Sequence, residues 1–269
     1  MNVTERITHA AERKAFETML DTIIKKSQTQ DVGELFESLV NMVQKIHGSV
    51  WSPETFDTLR KISEDPDGKW AHYVQRLLRE CDPYILKTFL TNAAYEGGFR
   101  GYQQAQKNAE KYGCNIPWLI LMDPTSACNM HCTGCWAAEY GNKLNLSFDE
   151  IDGIIRQGKE LGIYMYIYTG GEPLVRKKDL IRLCEKHDDC IFLCFTNATL
   201  IDEAFADEML RVKNFVPAIS LEGDEAVRAG RQMEMKERCM VEGITELSAC
   251  KVGLVGFGDI ARAAAERLV

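Results

Sequence analysis

At 269 residues, with 45% hydrophobic and 27% charged content, the chain can bury a sizeable core as one large domain or a domain with an accessory piece. A net charge of −8 and a pI near 5.3 argue against a protein whose main task is gripping phosphate backbones, so no nucleic-acid partner is expected. The charged opening Met1-Asn-Val-Thr-Glu-Arg6 lacks the apolar stretch of a signal peptide, and no run approaches the ~20 apolar residues of a membrane helix. The expectation is a cytoplasmic protein away from the membrane.

Residues 1–116 read as an all-helical region. Phe16, Met19, Leu20, Ile23 and Ile24 recur at helical spacing. Asp31-Val-Gly-Glu34 resembles a capping box, followed by a stripe of Leu35, Phe36, Leu39, Val40, Val43 and Ile46 up to Gly48. Trp70, Tyr73, Val74, Leu77 and Leu78 form another stripe, Pro83 opens the next helix in its first turn, and Gly113 ends the last. His9, His47 and His72 show no metal-ligand spacing and are read as ordinary helix residues.

The pattern changes at Pro117. Trp118–Met122 is a short apolar run that suits a strand buried on both faces. Ser147-Phe-Asp-Glu150 is a capping box opening a helix to about Leu161. Ile163–Tyr168, Ile191–Phe195 and Phe215–Ser220 read as further strands, separated by helices near Leu180–Lys186 and Glu203–Val212. Four alternations of strand and helix predict an α/β fold with a parallel sheet, in which ligands gather at the C-terminal strand ends.

Two motifs fall at those ends. Cys128-Asn-Met-His-Cys132-Thr-Gly-Cys135 places three thiols at CxxxCxxC spacing, enough for three of the four cysteines usual in a [4Fe–4S] cluster. A structural zinc knuckle or buried thiols are the other readings of that spacing alone. Gly170-Gly171-Glu172-Pro173 ends the next strand, its glycines permitting close backbone approach. The remaining cysteines, Cys81, Cys114, Cys184, Cys190, Cys194, Cys239 and Cys250, form no second cluster and read as reduced thiols.

Together the two motifs resemble the radical S-adenosylmethionine (radical SAM) family over residues 117–225. The resemblance implies that Cys128, Cys132 and Cys135 hold a [4Fe–4S] cluster whose open iron binds SAM. Gly170, Gly171, Glu172 and Pro173 would receive the SAM amino group, while Thr196, Asn197, Ser220 and Glu222 would line the cavity near its ribose and carboxylate. It further implies an oxidoreductase: reductive cleavage of SAM to a 5′-deoxyadenosyl radical, which abstracts hydrogen from an unidentified substrate. The electron would come from a donor such as flavodoxin or ferredoxin. The fold implied is a partial (β/α) barrel, here incomplete because only four strands are countable. Gly134 stands where the family often has an aromatic residue, with Trp136 beyond the third cysteine, and Ala198 stands where a Gly often follows Thr-Asn. The alternative function is a structural iron–sulfur or zinc protein closed by a fourth ligand such as His131 or Cys114.

Residues 226–250 read as a junction. Lys251-Val-Gly-Leu-Val-Gly256-Phe-Gly258-Asp-Ile-Ala261 then resembles the opening of the NAD-binding domain of hydroxyacid dehydrogenases, so 251–269 reads as a Rossmann-like βα fragment. The acidic residue needed about 20 positions further on is absent, and no working NAD site is expected. The incomplete strand count and the tail predict a fused or truncated core with impaired turnover.

Overall fold

The computed structural model describes residues 3–27, 52–65, 67–132, 135, 137, 141 and 143–220, with scattered positions between 33 and 44. Glu222, Trp136, Gly134 and the segments 226–250 and 251–269 lie outside the described residues, as do His47 and much of the stripe around Leu39. The chain divides into two compact units. One is Met1–Trp118 with Lys159–Tyr164; the other is Leu119–Gly158 with the chain from Met165 onward.

The first unit is helical: α1 (Val3–Lys26), α2 (Pro53–Glu64), α3 (Lys69–Glu80), α4 (Pro83–Leu90) and α5 (Tyr102–Tyr112). Its small core joins Ile24 of α1, Leu78 of α3 and Leu86 of α4. Asp82 caps α4, accepting from Tyr84 N (2.8 Å) and Ile85 N (3.0 Å), with Pro83 in the first turn as its fixed φ favours. Gly113 ends α5 at φ +65°.

A π-helical stretch, Thr91–Gly101, separates α4 from α5, a difference from the plain α-helix that the spacing predicts. It buries Glu96 completely. That carboxylate accepts from Arg13 Nη1 (2.6 Å) and Arg100 Nη1 (2.7 Å) and lies 2.8 Å from His9 Nε2. Two guanidinium groups supply the compensation a buried carboxylate requires. His9 also stacks on Tyr95 at 5.9 Å, so this histidine is part of a buried polar network.

The second unit is a four-stranded parallel sheet in the order β1-β2-β3-β4: β1 (Leu119–Thr125), β2 (Met165–Gly170), β3 (Ile191–Thr196) and β4 (Phe215–Ile219). Helices α6 (Phe148–Leu161), α7 (Lys177–Lys186) and α8 (Glu203–Val212) connect the strands, and a short 3-10 turn, Pro173–Arg176, precedes α7. The expected capping box opens α6. Ser147 N donates to Glu150 Oε2 (2.7 Å), and Glu150 N donates back to Ser147 Oγ (3.2 Å).

Side chains alternate across the strands. Met122, Tyr166, Tyr168, Phe192 and Cys194 are buried, and Tyr166 and Tyr168 each stack on Phe192 at 5.7 Å. The register Leu121↔Ile167↔Leu193 marks the other face, where Leu121 is 55% exposed and Phe195 41%. β1 is therefore buried on one face, not both. Trp118, expected to open this strand, precedes it and is exposed. Among the described residues the sheet has no cover on the Leu121 face and no neighbour beyond β4. The fold is an open, partial α/β arrangement.

Candidate functional site

The C-terminal ends of β1, β2 and β3 bring the predicted motifs to one edge. The cysteine loop leaves β1 at Thr125 and is closed at its base by an antiparallel bridge between Thr125 and Asn145. Ser126 N donates to Leu144 O (2.8 Å), Leu146 N to Pro124 O (3.1 Å), and Thr125 Oγ1 to Asn145 Oδ1 (2.6 Å). Arg176 also donates to Pro124 O (3.0 Å) and to Leu146 O, tying the segment after the glycine turn to the same base. These bonds fasten the two ends of the loop at its base.

The glycine turn is laced to the beginning of that loop. Gly171 N donates to Thr125 O (3.0 Å) and Glu172 N to Ala127 O (2.8 Å). Gly170 adopts φ +106°, and a Cβ on Gly171 would collide with Ala127 O and Ser126 O. Both positions require glycine, one for its backbone angle and the other for close approach.

Glu172 lies inside this junction, 1% exposed. Its Oε1 accepts from Leu174 N (3.0 Å) and Thr196 Oγ1 (2.7 Å), and its Oε2 accepts from Asn197 N (2.8 Å). The carboxylate expected to face a ligand ammonium is instead engaged by three protein donors and joins the ends of β2 and β3. Pro173, also buried, starts the 3-10 turn.

A third set of contacts reaches the cysteine motif directly. Asn197 Nδ2 donates to Asn129 Oδ1 (3.0 Å), Asn129 Nδ2 to Thr199 Oγ1 (2.7 Å), and Thr199 Oγ1 to Asn197 Oδ1 (2.6 Å). This closed ring fastens the residue after Cys128 to the loop after β3. Asn129 and Thr199 lie outside the residues that the motifs single out; their signal is polar side chains beside two motifs that the topology makes neighbours. Ala198, at φ +62°, takes the left-handed backbone that favours the Gly of the family pattern. Ser220 follows β4, exposed, with its N–H donating to Thr196 O (2.8 Å).

Cys128, Cys132 and Cys135 stand on the loop outside any disulfide; Cys132 and Cys135 are exposed and Cys128 half-buried. Met130 N donates to Cys128 Sγ (3.4 Å). Among the described residues no three His, Cys, Asp or Glu side chains stand in metal-holding geometry. Three soft thiol donors on one anchored loop nevertheless fit an iron–sulfur cluster chemically, and cluster assembly would draw the sulfurs together. Cys184 and Cys194 contrast with them. Burial pushes both thiols far above their ordinary pKa, which suits inert core residues.

A parallel α/β sheet with a three-thiol loop and a glycine turn bonded together at its strand ends has its motifs where such sheets place ligands. Residues 122–242 match the model of the Radical SAM superfamily, a superfamily of enzymes. An uncharacterized protein of Archaeoglobus fulgidus is 33% identical over 105 residues, 38% of this chain and 24% of that protein. A GTP 3′,8-cyclase of Clostridium perfringens is 31% identical over 93 residues, covering 32% of this chain and 28% of the cyclase. The corresponding cyclase of Alkaliphilus oremlandii is 30% identical over 151 residues, 50% of this chain and 47% of its own. The chain thus spans less than half the length of each of these relatives. The crystal structure of Streptococcus suis SuiB bound to S-adenosylmethionine aligns with a TM-score of 0.40 and 20% identity, covering 64% of this chain and 40% of SuiB.

Proposed function

We propose that this chain carries the cluster- and SAM-binding core of a radical SAM enzyme acting as an oxidoreductase. The observation that carries the reading is the fastening of the cysteine loop to the glycine turn through Gly171 and Glu172 at the ends of adjacent parallel strands. When bound, the cluster supplies one electron to SAM, and SAM supplies the hydrogen-abstracting power.

The chain's own residues do the positioning. Cys128, Cys132 and Cys135 would hold the cluster, three thiolates leaving one position for SAM. Gly170 and Gly171 keep side chains away from the ligand, and Glu172 holds the turn in shape from behind through Thr196 and Asn197. A one-electron donor such as flavodoxin or ferredoxin is the partner this chemistry requires. The likeness to GTP 3′,8-cyclases supports the shared core chemistry and is no ground for taking GTP as the substrate.

Anaerobic reconstitution tests the reading. Expected are about four irons and four sulfides per chain, an EPR signal of the reduced cluster that changes on adding SAM, and release of 5′-deoxyadenosine under reductant. One tightly bound zinc with no response to SAM would replace this reading with a structural metal protein.

A further inference from the structure

Asn197, expected to line a ligand cavity, commits its side chain to the cysteine loop instead. Its Nδ2 donates to Asn129 Oδ1 (3.0 Å), Asn129 Nδ2 donates to Thr199 Oγ1 (2.7 Å), and Thr199 Oγ1 donates to Asn197 Oδ1 (2.6 Å). All three bonds run in one direction around the ring, so every group both donates and accepts and each bond polarises the next. The β3 half of the ring is held independently of the cysteine loop. Thr199 N donates to Asn197 Oδ1 (3.0 Å), Ala198 N to the buried Thr196 Oγ1 (3.0 Å), and Asn197 N to Glu172 Oε2 (2.8 Å). The ring lies at the surface, where a single hydrogen bond competes with water. Closed on itself and built on a fixed turn, it restrains Asn129 more than one bond would.

Asn129 stands between Cys128 and the peptide N–H of Met130, and that N–H donates to Cys128 Sγ (3.4 Å). Holding the Asn129 amide by both its oxygen and its nitrogen restricts the backbone rotation that aims this N–H. A donor on a cysteine sulfur withdraws electron density from it. Hydrogen bonds to the ligand sulfurs are one of the levers that set the reduction potential of an iron–sulfur cluster. Groups that orient a ligand from behind can therefore tune a metal site without touching the metal.

We propose that the Asn129–Thr199–Asn197 ring is a positioning device that keeps the Met130 N–H on the Cys128 sulfur and so makes a cluster held there easier to reduce. This rests on the radical SAM reading and adds two positioning residues to it, Asn129 and Thr199. The sign follows from charge. Reduction adds negative charge that the ligand sulfurs share, so an N–H donor stabilises the reduced form more than the oxidised one. Loss of the donor lowers the potential.

The experiment is a redox titration of the anaerobically reconstituted full chain, followed by EPR without SAM, with iron content measured on the same samples. Thr199→Val removes the hydroxyl of the ring at a position 70 residues from Asn129 and changes no cysteine. Thr199→Ser keeps that hydroxyl, and Asn129→Ala removes the amide. Thr199→Val and Asn129→Ala are each expected to keep wild-type iron content. Each should lower the equilibrium constant for reduction by about tenfold, a fall of about 59 mV for one electron. Thr199→Ser should retain the wild-type potential, and the double variant should fall no further than either single one, because the ring acts as a unit. An unchanged potential in Thr199→Val and Asn129→Ala, an equal fall in Thr199→Ser, or additive falls in the double variant overturns the proposal. Loss of iron in both single variants also overturns it, because the ring would then secure the ligands rather than tune a sulfur. All of these outcomes leave the radical SAM reading intact. A loaded wild-type chain with no reducible iron–sulfur cluster overturns that reading and the proposal with it.

Discussion

Single residues at the strand ends differ in what the structure has them hold. Glu172 joins the ends of β2 and β3 through three protein donors. Glu172→Gln offers one good acceptor where the carboxylate serves three donors, so at least one of Leu174 N–H, Thr196 O–H or Asn197 N–H loses its partner. The expected cost is about 1–3 kcal/mol, read as a lowered thermal midpoint of the cluster-free protein. An unchanged midpoint would show that the buried junction tolerates the loss. Ala198 offers the opposite sign. Its left-handed backbone costs an L-residue roughly 1–2 kcal/mol, against which Ala198→Gly adds unfolded-state entropy and removes a buried methyl. The net expectation is a midpoint equal to wild type or slightly higher. Both residues could be singled out in the sequence, yet their physical roles could not. The spacing of a motif does not say whether a carboxylate points to a ligand or is closed off behind the turn, and Ala198 looked like a departure until its φ explained why glycine suits that position.

At the scale of elements, α6 and α7 are clamped through one acid. Asp152 on α6, its side chain 7% exposed, accepts from Lys186 Nζ (2.8 Å) and Arg156 Nε (2.9 Å) and lies 2.9 Å from His187 Nε2. Burial raises its pKa, but the hydrogen bonds from Lys186, His187 and Arg156 outweigh it and hold the carboxyl well below the usual range. A depressed folded-state pKa means stability that is present above the unfolded value, near 3.9, and is lost as pH falls through the folded value. The thermal midpoint should therefore fall below about pH 4, and Asp152→Asn should lower it at pH 7 and flatten that part of the profile. An acid limb unchanged in Asp152→Asn would assign the dependence to other groups. The alternation of strand and helix was legible in residues 117–220 because apolar runs, the Ser147–Glu150 box and Gly113 each carry a local signal. What was not legible required partners distant in sequence. The π-helical stretch buries Glu96 against His9 and Arg13 from more than eighty positions away, and helical spacing alone does not separate a π-helix from an α-helix. The one-sided burial of β1 depends likewise on what covers the sheet.

Across the whole molecule, eight of the chain's cysteines fall among the described residues, and their surroundings sort them before any metal is added. Cys132, Cys135 and Cys114 are exposed, while Cys184, Cys190 and Cys194 are buried; no disulfide links any of the eight. Alkylation of the cluster-free, folded protein should mark Cys114, Cys132 and Cys135 quickly and leave Cys184, Cys190 and Cys194 unmarked until the chain unfolds. Loading iron and sulfide should then protect Cys128, Cys132 and Cys135 together, with Cys114 as reactive as before. Substitution gives the complementary measurement. Cys128→Ala, Cys132→Ala or Cys135→Ala should each remove most bound iron, because two thiolates on a loop hold a cubane poorly, whereas Cys184→Ala should lower stability by a cavity's worth and keep the iron. Protection of Cys114 on loading would instead identify it as a fourth ligand and close the iron to SAM, making the site structural. Full iron content in Cys128→Ala would detach the cluster from this loop altogether, and with it the reason the glycine turn, Glu172 and the Asn129–Thr199–Asn197 ring are gathered at its base.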